Sequence, residues 1–109
     1  MSVPVNLTSR AKRDIQSILR YVETRSKPGA DAWYRRLAEI VESIGDSPES
    51  FGLAPEDEAH EERIRQAIFK TRKGLPYRAL FVQRPEAVYI IHVRGSGQDQ
   101  LDVDELRLP

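Results

Sequence analysis

The chain has 109 residues, zero formal net charge, 39% hydrophobic and 31% charged residues, and no cysteine. That length fits one domain spanning residues 1–109 with a modest core of its own. The absence of cysteine excludes disulfides, thiolate metal sites and a cysteine nucleophile, and the neutral balance argues against a general nucleic-acid binder.

"SVPVNL" alternates Val3, Val5 and Leu7 with small or polar residues, the period of a strand, and Pro4 puts it near an edge or a strand start. "TSRAKRD" opens a helix with Thr8 or Ser9 as N-cap, and Ala11, Ile15, Ile18, Leu19 and Val22 carry its apolar stripe to about Arg25. "SKPGAD" interrupts that helix, with Pro28 and Gly29 suited to a tight connection. Ala30, Trp33, Leu37, Ile40, Val41 and Ile44 then recur at helical spacing, which predicts an antiparallel helical hairpin. Gly45 is the expected C-cap, and "DSPES" ends the helix.

A long acidic connection follows, in which Phe51 and Leu53 are the expected core anchors. Asp46 through Glu62 holds seven acidic residues and no Lys or Arg. Arg63 through Arg94 holds eight Lys and Arg against one acid, Glu86, so the charge is uneven although the sum is zero. Ile64 to Phe69, "YRALFVQ" and "AVYIIHV" read as three strands, joined by a turn in "TRKGLP" and a short hairpin connection in "RPE". Strands adjacent in sequence usually pair, so these form an antiparallel meander. The fold class is α+β, in the order β-α-α-β-β-β, with the helical hairpin packed on a small antiparallel sheet. The N-terminus lacks the apolar core of a signal peptide and no apolar run approaches membrane length, so a cytoplasmic protein without a membrane partner is expected.

The pieces "LTSRAKRDIQSILRYV", "ADAWYRRLAEIVESI", "SPESFGLAPE", "RIRQAIF" and "PYRALFVQRPEAVYIIHVRG" run in order through almost the whole chain. Together they resemble the RelE/ParE superfamily, the toxins of type II toxin–antitoxin (plasmid stabilisation) systems. The third resembles that family's "P..G…PE" link, and the last its "YR..Y" strand pair. The resemblance implies a growth-inhibiting toxin held inactive by a cognate antitoxin, and toxin–antitoxin pairs often assemble further. For a toxin it implies one of two targets: ribosome-bound mRNA, cleaved by a RelE-like nuclease, or DNA gyrase, poisoned by a ParE-like toxin without nuclease chemistry. The remaining alternative is a degenerate, non-toxic family member acting only as a binding module.

In the nuclease branch the resemblance carries catalysis onto Arg78, Lys70 and Arg94, which would stabilise the phosphorane in place of a histidine pair. Arg78 is equally open to a structural role, paired with an acid. For antitoxin or target binding the candidates are Arg65, Arg72, Lys73 and Arg78, with Val3 and Val5 on the edge strand and the groove between hairpin and sheet. "GSGQDQLDVDEL", after the last strand, is acidic and would repel RNA, which favours the ParE-like reading. His92 reads as a general base or as a hydrogen-bonded, partly buried histidine. Tyr77 and Tyr89 could stack on bases or pack across strands. His60 lies in the acidic loop without metal-ligand spacing, so neither a metal nor a cofactor is expected.

Overall fold

The structure, a computed structural model, describes residues 2–59, 62–72 and 74–95. Its elements are β1 (Val5–Leu7), α1 (Ser9–Arg25), α2 (Lys27–Asp46), β2 (Arg65–Phe69), β3 (Tyr77–Gln83) and β4 (Val88–Gly95), in the expected β-α-α-β-β-β order. The sheet order is β1-β4-β3-β2. The β2–β3–β4 meander is antiparallel, while β1 runs parallel to β4 with Val5 opposite Val88 and Leu7 opposite Ile90, so the sheet is mixed.

The parallel edge follows from how α1 begins. Thr8 caps the helix by accepting the Ala11 amide, and its own amide and hydroxyl donate to the carbonyls of Ile90 and Ile91. Beyond that point β1 has ended but β4 continues. Asp14, nearly two turns further along α1, takes the Val93 amide at 3.1 Å. A helix side chain thus satisfies backbone that a strand would otherwise have to cover.

The hairpin is tighter than the sequence suggests. Ser26 alone joins the helices: its amide donates to Val22 O, and its hydroxyl accepts the Gly29 amide. Pro28 and Gly29 are not the connection but the first turn of α2, where a proline lacks only an amide that would have no helical partner. Gly45 likewise is not the cap, since α2 runs to Asp46 and Ser47 caps it. Its small size serves a crossing: Val3 N donates to Gly45 O at 2.9 Å, and a Cβ on Gly45 would lie 3.2 Å from Val3 O.

The main core lies between the helices and one sheet face. Ile15, Trp33, Leu37 and Ile44 meet Phe69, Phe81, Val88 and Ile90 there. Tyr77 stacks on Phe69 of the neighbouring β2 with ring centroids 6.0 Å apart, so it packs across strands as one of its readings anticipated, and Trp33 of α2 stands edge-on to it at 5.4 Å. The opposite face is also covered. Ala54 and Ile64 from the long connection bury Leu80, Val82 and Ile91. The connection itself forms two short 3-10 turns, Pro48–Ser50 and Pro55–Ala59. Phe51 is a core anchor, edge-on to Phe81, but Leu53 is 45% exposed and forms a backbone bridge to Arg65 while neighbouring Ala54 goes inward.

Candidate functional site

Arg78 and Arg94 stand directly opposite each other on β3 and β4. The tight packing of β3 against β2 puts Arg78 beside Gln66 on the face away from the helices, where the second 3-10 turn brings Glu56. Arg78 forks onto that carboxylate: Nη1 donates to Oε1 at 2.7 Å and Nη2 to Oε2 at 2.6 Å. The Glu56 side chain is 1% exposed and that of Arg78 14%. Nη1 also donates to Gln66 Oε1 at 3.2 Å. A two-point fork of this length is the strongest form of side-chain ion pair. Its effect is to fasten the acidic connection to the end of the sheet, 22 residues away in sequence.

Arg65 does a similar job through the backbone, with Nη1 donating to Phe51 O at 2.6 Å. Arg84 fixes the far end of the connection, forking onto Glu62, and that contact holds the Glu62 carboxyl below its ordinary range. Arg84 also lies over the Tyr89 ring, whose hydroxyl donates to Glu86.

Lys70 and Arg72 are elsewhere. Both are exposed, just past β2, and they border a shallow depression of about 240 Å³ with Arg35 and Arg36 of α2. The structure therefore groups Arg78 with Arg94, and Lys70 with Arg72. Lys73, His60 and the acidic stretch after Gly95 lie outside the described residues.

His92 is buried, just after an irregularity in the β3–β4 register that leaves Ile91 as an extra residue on β4. Its Nδ1 lies 2.6 Å from Asp14 Oδ2, close enough for a hydrogen bond but outside the favourable angular range. Burial raises the Asp14 pKa, yet His92, the Val93 amide and Arg10 outweigh it and leave the carboxyl below its ordinary value. The group ties α1 to β4.

An apolar groove of about 450 Å³ runs between α1 and α2 at the end of β1. Leu7, Ile15, Leu19, Leu37 and Val41 line it, and Lys12 stands among them as its cation. Val3 and Val5 are half-buried and pack against the main core next to it, with β1 forming one outer edge of the sheet.

Sequence reasoning passed over Glu56, Asp14, Arg35 and Arg36. Glu56 had a signal, the acid of the "PE" link, but its burial depends on a turn that no local pattern reveals. Arg35 and Arg36 read as an ordinary polar helix face until Lys70 and Arg72 fold beside them.

A helical hairpin on one face of a small mixed sheet, with an arginine-clamped connection on the other, defines the fold class that the RelE/ParE resemblance implies. The family model described as the ParE toxin of the type II toxin–antitoxin system parDE matches residues 5–100, and the chain belongs to that family. It is a type II toxin, and membership implies a cognate antitoxin as its partner. A comparison with curated proteins returned no match. Among the described residues no helix is long and apolar enough to cross a membrane.

Proposed function

We propose that this toxin arrests growth by poisoning DNA gyrase through protein–protein contact, in the cytoplasm, and that it is not an mRNA endonuclease. The observation that carries this reading is the commitment of Arg78. Phosphorane stabilisation needs cations aimed at the place where charge develops. Both terminal nitrogens of Arg78 are instead aimed at Glu56, within 2.7 Å. Lys70, the second member of a nuclease trio, borders a depression shared with α2 rather than this pair.

Neutralisation is assigned to the apolar groove and the β1 edge with Val3 and Val5. An antitoxin segment could lay apolar residues against Leu19 and Leu37, pair an acid with Lys12, and add backbone hydrogen bonds along β1.

Induced expression without antitoxin tests the target. The expected result is filamentation and loss of gyrase supercoiling activity while translation continues. Prompt loss of translation, abolished by Arg78→Lys, would instead establish the nuclease. Lysine is the better probe than alanine, because it keeps a positive charge beside the buried Glu56.

A further inference from the structure

The depression flanked by Arg35, Arg36, Lys70 and Arg72 is used by none of the roles above. At 100° per residue, its α2 members Arg36 and Glu39 fall on the flank roughly opposite Tyr34, Leu37, Ala38 and Val41, which line the apolar groove, with Arg35 between the two faces. A segment filling the groove therefore leaves the depression uncovered. Arg35, Lys70 and Arg72 have no hydrogen-bond or ion-pair partner among the described residues, and Asp31, one turn before Arg35, forms no ion pair with it. The one acid at the depression, Glu39, is held by Arg36 at 3.4 Å. A concave surface with this excess of cations from two elements is complementary to an acidic group.

Two features favour an acidic protein segment over a nucleic acid. The same β2–β3 connection that carries Lys70 and Arg72 also exposes Leu75, at 74%. A phosphate backbone would gain nothing from that leucine. The chain also has no net positive charge with which to hold a polyanion at a distance.

We infer that this depression is the docking site for an acidic segment of the toxin's target protein, on a surface separate from the one the antitoxin covers. The inference rests on the growth-inhibiting role of the chain but not on gyrase as the target.

The test compares wild type with Arg35→Glu/Arg72→Glu and the neutral Arg35→Gln/Arg72→Gln. Arg13→Glu/Arg20→Glu, on exposed α1 positions, makes the same change in net charge elsewhere. Potency is read as the intracellular toxin level at half-maximal growth arrest, and antitoxin affinity by calorimetry on purified proteins. The reversal should lower potency by roughly tenfold or more, since close charge pairs across interfaces couple by at least 1.5 kcal/mol. The neutral pair should fall between, the α1 control should match wild type, and antitoxin affinity should hold within about twofold for charges outside that interface.

Unchanged potency in the reversal overturns the inference. So does an equal loss of antitoxin affinity, which would give the depression to the antitoxin. Tight binding of a short DNA duplex by wild type, lost in the reversal, would replace the protein segment with phosphate. Failure of the gyrase proposal is read separately, as arrested translation with intact supercoiling, and leaves the potency comparison standing.

Discussion

Removing Arg78 should destabilise the whole domain, whatever it does to toxicity. The Glu56 carboxylate is 1% exposed and accepts two donors at 2.6 and 2.7 Å from one guanidinium. Arg78→Ala leaves that carboxylate in a site built for a pair. Breaking a buried pair from one side costs about 3–5 kcal/mol. Arg78 itself retains 14% exposure, so some water reaches the vacated site and the lower end, about 3 kcal/mol, is expected. For a domain of this size that is roughly 12 °C in Tm. Glu56→Gln keeps the shape and one acceptor and should cost about 2 kcal/mol. Combined with Arg78→Ala, it should cost less than the two single changes together, by at least about 1 kcal/mol, because the carboxylate is then gone with its partner. Urea unfolding of the four proteins at pH 7 measures this. Losses under about 0.5 kcal/mol with an unchanged m-value, as for a surface pair, would refute the argument. So would strict additivity.

Acid should probe the α1–β4 tie. The folded pKa of Asp14 is depressed below 3.8, so its contribution is fully present above that ordinary value and is lost as the pH falls through the lower, folded one. Urea midpoints from pH 6 down to about pH 2.5 should therefore decline less steeply for Asp14→Asn than for wild type, and parallel curves would contradict the assignment. At the crossing of α2 and the N-terminal segment, Gly45→Val should cost about 1–3 kcal/mol despite the better helix propensity of valine, because Val3 O and Val5 Cγ2 would each be 3.2 Å from the new Cβ. Exchange of the Val88 amide, bonded to Pro4 O, should quicken beyond the global change, and its retention would show that the segment yields without loosening β1.

Local chemistry was legible where it acts within a turn. Thr8 stands where a cap is needed, three residues ahead of Ala11, and the helical stripes end close to the observed boundaries. Gly45 shows the limit of such signals. A glycine near a helix end suggests a cap, but here it is spared a side chain because Val3 passes over it, and only the tertiary crossing reveals that. The strands illustrate another limit. "ALFV" and "IIHV" do not alternate cleanly because β3 and β4 are buried on both faces, one by the hairpin and the other by the connection carrying Ala54 and Ile64. Leu53 and Ala54 could not be ranked from hydrophobicity alone, which favours the leucine, whereas the bridge to Arg65 turns the smaller residue inward.

The site was less legible because charge has no period. Arg78, Arg65, Lys70 and Arg72 look alike along the chain, all in its basic half. The fold separates them by what each can reach. Arg78 meets a carboxylate and Arg65 a carbonyl, both supplied by the connection that covers the sheet. Lys70 and Arg72 lie past the end of β2 and border a depression where α2 brings two further cations, Arg35 and Arg36, against one acid, Glu39, already held by Arg36. A guanidinium already forked onto a buried acid gives up two short bonds to bind anything else. An exposed cation crowded by its own sign gains when an anion arrives. The arginines that hold the fold together are thus the poorest candidates for contact with a partner, and the cations without intramolecular partners are the better ones.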